Sequence, residues 1–161
     1  MVRFAYLDKT EKERWLPQLF DLLYDNMQAI APAPLTKEEE YAEWHNNVSP
    51  ALEKAPRQII LCLDGSRLAG YLQYYTRGEL LMVEELQLQK EYRRTLLFRS
   101  LCRHLAAHLP NGVETVEAYA DRRNLRSQKI MQKLGMEVLP EDNLQFVHLR
   151  GSFSAVQKHF L

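Results

Sequence analysis

The sequence predicts an α/β chain, a single domain built on a mixed, mostly antiparallel central sheet flanked by helices. Three observations carry that expectation. Three β-rich apolar runs, Gln58–Leu63, Leu68–Thr76 and Glu79–Gln89, are separated by Asp64-Gly65 and Arg77-Gly78, which are turn signals for an antiparallel meander. An amphipathic run follows, Arg93–His108, with Leu97, Leu101 and Leu105 repeating every four residues and Leu96 and Cys102 flanking them. It leads into another apolar run, Val113–Ala120, and a helical crossover of that length joins parallel strands.

The remaining elements fall around this centre. Phe4–Leu7 reads as a first strand. Thr10 is placed to cap a helix that carries Trp15, Leu16, Leu19, Phe20, Leu22, Leu23 and Met27 at helical spacing. Ala31-Pro32-Ala33-Pro34 stops it, because proline lacks a donor and restricts its predecessor. Thr36 with Glu39 is a capping-box pair that opens a second helix through about Asn46, and Ser49-Pro50 restarts a turn through Lys54. Asn124–Leu134 reads as a helix closed by Gly135, Asn143–Leu149 as a last strand, and the tail after Gly151 has some helical spacing.

Composition narrows the function classes. The chain has 161 residues, 46% of them hydrophobic, enough for one domain over 1–161 with a real core. Its 21 basic and 21 acidic side chains cancel, so no whole-molecule field draws in nucleic acid or a membrane surface. Cys62 and Cys102 lie in apolar runs and read as buried free thiols. His45, His104, His108, His148 and His159 show no metal-ligand or triad spacing, so no metal is expected. Charges at Arg3, Asp8 and Lys9 interrupt any signal-peptide core, and no apolar run approaches a membrane span; a cytoplasmic setting is expected.

Two stretches carry chemistry. Leu86-Gln87-Leu88 is followed by Glu91-Tyr92-Arg93, with Arg94, Leu96 and Phe98 opening the long helix. Asn124-Leu125-Arg126-Ser127 begins a helix that ends Lys133-Leu134-Gly135-Met136. The element order and these two stretches resemble the GNAT superfamily of acyl-CoA-dependent N-acetyltransferases. The second match is the more specific, since spacing, cap and residue types agree together. The first is degenerate, because Arg94, Leu96 and Phe98 stand where that family prefers glycine.

The resemblance implies transfer of an acetyl group from acetyl-CoA to a primary amine of a small molecule or peptide. It also leaves open a catalytically weak or inactive module that binds acyl-CoA or a partner protein. By the resemblance, the amides and side chains of Arg93, Arg94, Thr95, Leu96, Leu97, Phe98 and Arg99 would hold the cofactor's pyrophosphate. The backbone of Leu86 and Leu88 would pair with pantetheine, and Asn124 and Ser127 would meet the cofactor arm. An amine must be neutral to attack, so a carboxylate takes its proton. Glu84 and Glu85 occupy adjacent strand positions and face opposite sides. Glu85 is the preferred base and Glu84 the second choice; Glu79 and Glu117 rank below them. Met131 stands where many family members place a proton-donating tyrosine, and Tyr119 on the neighbouring strand is the candidate substitute. The resemblance further implies that the two N-terminal helices, with Trp15, Tyr41 and Trp44, roof the acceptor site. Homodimers are common in the family, and no interface is visible here.

Overall fold

The computed structural model describes residues 1–54 and 56–160, so Ala55 and Leu161 of the expected 1–161 domain lie outside the described residues. Seven strands form one mixed sheet in the order β1-β2-β3-β4-β5-β7-β6. Among the described residues the chain divides into two compact units, Met1–Gln73 with Glu85–Arg94, and Tyr74–Glu84 with the chain from Thr95 on. Strands β3 (Arg67–Arg77) and β4 (Leu80–Leu88) contribute residues to both.

The first unit begins with β1 (Val2–Tyr6), which pairs antiparallel with β2 (Gln58–Asp64) in the register Val2↔Asp64 to Tyr6↔Ile60. The first helix, α1, spans Lys12–Gln28. Thr10 does not cap it, against expectation. Asp8 caps a short 3-10 turn instead, its Oδ1 accepting from Thr10 N at 2.9 Å and Thr10 Oγ1 at 2.7 Å. Those bonds depress the Asp8 carboxyl pKa, the Thr10 hydroxyl first. The second helix, α2 (Lys37–Glu53), opens with the expected capping box: Thr36 Oγ1 accepts from Glu39 N at 3.2 Å, and Thr36 N donates back at 2.9 Å. It is one helix to Glu53, not two pieces, and Pro50 lies inside it at an exposed position. A proline there forfeits one backbone bond, yet the turn continues because Leu52 is fully buried in the core. That core joins Leu16, Leu19 and Leu22 of α1 to Leu52, Ile59, Leu61, Leu63 and Tyr71. Each such apolar side chain contributes about 1.5–3 kcal/mol by leaving water.

Both hairpin loops are two residues long, Gly65-Ser66 and Gly78-Glu79. The glycine is the first loop residue in each, with φ of +63° and +59°, the type II′ geometry that matches strand twist. The turn therefore sits one residue later than Asp64-Gly65 and Arg77-Gly78 suggest.

In the second unit β4 pairs parallel with β5 (Thr115–Asp121), from Leu80↔Thr115 to Val83↔Ala118. The crossover between them contains α3 (Leu97–His108), whose Leu97, Leu101 and Leu105 are buried. The helix starts four residues later than the expected Arg93. The chain first makes a 3-10 turn at Lys90–Tyr92, with Tyr92 N to Gln89 O at 3.0 Å and Arg93 N to Lys90 O at 3.3 Å. Helix α4 (Leu125–Lys133) is closed by Gly135 at φ +95°. Gly135 N bonds Gln132 O at 3.0 Å and Met136 N bonds Met131 O at 3.1 Å, a Schellman cap. A short β6 (Glu137–Val138) then pairs with β7 (Phe146–Ser152), and β7 lies antiparallel to β5. The last strand begins three residues after the expected Asn143. That side chain accepts from Gln145 N and Phe146 N, both at 2.8 Å, and its turn delays the strand. Ser152 caps a final helix, α5 (Phe153–Gln157).

Candidate active site

The N-terminus of α3 carries no capping side chain on Leu96 and no acidic residue in its first turn. First-turn N–H groups of any helix lack intrahelical acceptors and favour an anion. Of the residues that stand in place of glycine, Arg94 and Leu96 are exposed and Phe98 is half-buried. Leu96 is 74% exposed, Leu97 is buried, and Phe98 packs edge-on against Phe160 at 5.9 Å. Thr95 Oγ1 accepts from Leu97 N at 3.2 Å, so one amide of the expected cradle has a protein partner.

In the first unit, Arg93 Nη2 donates to Asn26 Oδ1, and Arg93 Nε donates to Leu88 O at 3.3 Å. Arg99, in the second unit, donates to Phe160 O at 3.2 Å. Arg93 and Arg99 each have a protein partner, and both Arg94 and Arg99 are exposed.

Asn26 is a buried polar residue beside the candidate site that sequence reasoning did not single out. It is buried on α1, with 8% of its surface exposed, and donates to Gln87 Oε1 at 2.9 Å and Leu88 O at 3.1 Å. Gln87 Nε2 in turn donates to Glu85 Oε1 at 2.7 Å. A continuous polar chain thus runs Arg93–Asn26–Gln87–Glu85. Its trace in the sequence was a polar residue on the buried stripe Leu19–Leu22–Asn26. The Leu88 carbonyl is used twice in this chain, by Asn26 and by Arg93. Glu85 is half-buried, and burial together with its charge holds the Tyr71 phenol well above its ordinary pKa range. Glu84, the second candidate base, is also half-buried.

In the second unit Tyr119 is 45% exposed and stacks on His148 with centroids 4.2 Å apart and planes 14° apart. The two face each other in the β5–β7 register. Burial first, then the charges of Glu141, Glu117 and Tyr75, raise the Tyr119 pKa, so the phenol keeps its proton. His148 is only 8% exposed, and both its nitrogens meet carboxylates. Nε2 lies 2.5 Å from Glu117 Oε1 and Nδ1 bonds Glu141 Oε1. His148 and Glu141 were not expected to matter, and only strand register could have found them. The two glutamates sit on opposite nitrogens and cannot converge with the ring on one ion. No described group of His, Cys, Asp or Glu side chains is arranged to hold a metal.

On α4, Asn124 Oδ1 caps Ser127 N at 3.2 Å, which fulfils the capping role. Met131 is half-buried. Trp15 and Trp44 pack partly buried against the core of the first unit. Trp44 also lines a groove of about 330 Å³ between α1 and α2. Cys62 is fully buried, and burial pushes its thiol up to about 12. No described helix is long and apolar enough to cross a membrane.

No family model and no curated protein matches this chain in sequence. Solved structures do match in fold. An acetyltransferase from Thermus thermophilus superposes with a TM-score of 0.72 at 19% identity, covering 95% of this chain and 97% of that one. A PaiA N-acetyltransferase from Thermoplasma acidophilum, solved with coenzyme A, gives 0.71 at 15% identity, covering 95% and 99%. A structure from Desulfovibrio desulfuricans assigned to the GNAT family gives 0.70 at 14% identity, covering 94% and 99%. Strand order, the parallel β4–β5 pair with its α3 crossover and nearly complete mutual coverage agree: the chain has the fold of the GNAT acetyltransferases.

Proposed function

We propose that the chain is an acetyl-CoA-dependent N-acetyltransferase acting on a primary amine of a small molecule or peptide. The observation that carries this reading is the N-terminus of α3, which has no acidic residue in its first turn and no cap from Leu96, while Phe98 packs against Phe160. The fold it shares with a structure solved with coenzyme A supports the same co-substrate. In the second unit, amides at the start of α3 would bind the pyrophosphate, and Asn124 and Ser127 would meet the cofactor arm; in the first unit, Arg94 for phosphate and the Leu86 backbone for pantetheine are separate proposals.

In the reaction the amine nitrogen bonds the thioester carbonyl carbon, and the carbon–sulfur bond breaks. Glu85, oriented by Gln87, takes the amine's proton, with Glu84 as the alternative base. Tyr119 returns a proton to the departing thiolate. The two roles are separate proposals, each with its own substitution. One cytoplasmic domain is the simplest setting, and the strands common to both units favour it.

A second reading has support in the protein partners of Arg93 and Arg99 and in Met131, a side chain with no proton to donate. In it the chain binds acyl-CoA, or a partner protein, without turnover. Calorimetry and a thermal-shift series with acetyl-CoA, followed by an amine panel read by thiol release, separate the two. Acetyl-CoA at 100 times its dissociation constant should stabilise the fold by about 2.7 kcal/mol. Arg94→Ala should weaken coenzyme A and spare a pantetheine analogue lacking phosphates. A shift without thiol release selects the binding module, and no shift with any acyl-CoA removes both readings.

A further inference from the structure

Tyr119 rests on a ring that is held from two sides. His148 faces it across the β5–β7 register, with the ring centroids 4.2 Å apart and the planes 14° apart. Nδ1 of His148 bonds Glu141 Oε1, and Nε2 lies 2.5 Å from Glu117 Oε1, at ion-pair distance without hydrogen-bond geometry. Glu141 comes from a segment tied down on either side of it. Leu139 N donates to His148 O at 2.8 Å, and Arg122 Nε donates to Asn143 O at 2.7 Å. Glu117 stands two residues before Tyr119 on β5, so both side chains leave the same face of the sheet. A ring held between a strand glutamate and a loop glutamate keeps one orientation, whereas an exposed tyrosine without such a support samples several rotamers.

We propose that His148 is a positioning residue for Tyr119: the held ring fixes the phenol and sets how readily that phenol gives up its proton. The catalytic meaning rests on Tyr119 as the proton donor in acyl transfer; the coupling of the two rings does not. When the phenol loses its proton, negative charge appears over the imidazole and beside two carboxylates. Burial first, then the charges of Glu141 and Glu117, disfavour that charge. The imidazole nitrogen turned to Glu141 offsets part of this field by hydrogen bonding the carboxylate. A phenylalanine ring in its place would stack in the same way and offset nothing. The other groups around the phenol are Tyr75 of β3, Asp121 on the same face of β5, and Arg150, which faces Glu117 from β7. Glu84 follows the last paired position of β4, Val83↔Ala118.

Nuclear magnetic resonance of the full chain, with tyrosine carbon-labelled at Cζ and no acyl-CoA present, follows the Tyr119 phenol through its titration. Its signal is assigned by its absence from Tyr119→Phe. His148→Phe should raise the midpoint by at least about half a pH unit, about threefold in acidity, and Glu141→Gln should lower it by a similar amount. A contact that only fills space would move neither. An unmoved or lowered midpoint in His148→Phe overturns the proposal. If that variant fails to fold, as checked by circular dichroism, Glu141→Gln at its exposed loop position decides alone, and an unmoved midpoint there overturns it. Turnover is a separate measurement. Where the amine panel gives thiol release, the high-pH limb of kcat should move with the midpoint. A stationary limb beside a shifted midpoint would remove Tyr119 as the proton donor and leave the coupling in place, so the two failures are told apart.

Discussion

At the scale of residues, the polar chain Arg93–Asn26–Gln87–Glu85 makes a definite demand on chemistry. Glu85→Gln keeps the shape of the side chain and removes its basicity, so turnover should fall by about 10²–10⁴-fold with acetyl-CoA affinity unchanged. Steady-state kinetics beside calorimetry reads both quantities, and full turnover would move the role to Glu84. A second residue-scale expectation concerns acid stability. Arg123 donates to both Asp121 carboxylate oxygens, at 3.0 and 3.1 Å, and holds that carboxyl below its ordinary range. A depressed folded pKa adds stability above the unfolded value, and that stability is lost as pH falls through the folded one. Asp121→Asn should therefore melt lower than the unaltered protein at neutral pH, with the gap closing below about pH 4. A gap that persists in acid would assign the loss to something other than this ionisation. The sequence had marked Glu85, Tyr119 and Asn124 by type and position. Asn26, His148 and Glu141 were invisible because their meaning depends on partners 61, 29 and 7 residues away, respectively.

At the scale of elements, strand spacing turns on one glycine. A Cβ at Gly70 would lie 2.5 Å from Leu88 Cδ2 and 2.6 Å from Gln87 O. Backbone cannot yield cheaply, so Gly70→Ala should cost about 1–3 kcal/mol, measurable by chemical denaturation, and should disturb the Asn26–Leu88 bond. An unaffected midpoint would mean β4 shifts freely there. The elements themselves were largely legible, because hairpin glycines, the Thr36–Glu39 box and the Gly135 cap are local signals. The helix starts were not. Thr10 has cap chemistry but Asp8 precedes it with a stronger acceptor, and at the start of α3 Leu96 makes no cap, the one side-chain bond to a first-turn amide coming from Thr95. In both cases a turn won that apolar periodicity does not register.

At the scale of the whole molecule, a mixed sheet follows from counting hairpins and one crossover, which is why fold class could be read from the chain alone, whereas the place of β7 between β5 and the short β6 was not. Division into two compact units could not, since it depends on which halves of β3 and β4 pack with which helices. Trp15 and Trp44, the chain's two tryptophans, both belong to the first unit. Indole emission therefore watches that half of the molecule and is blind to the other, while far-ultraviolet dichroism sums over both. If the chain melts as a single cooperative body, the two optical curves will overlay; a separation between them would expose a partly melted species in which one half has let go before the other.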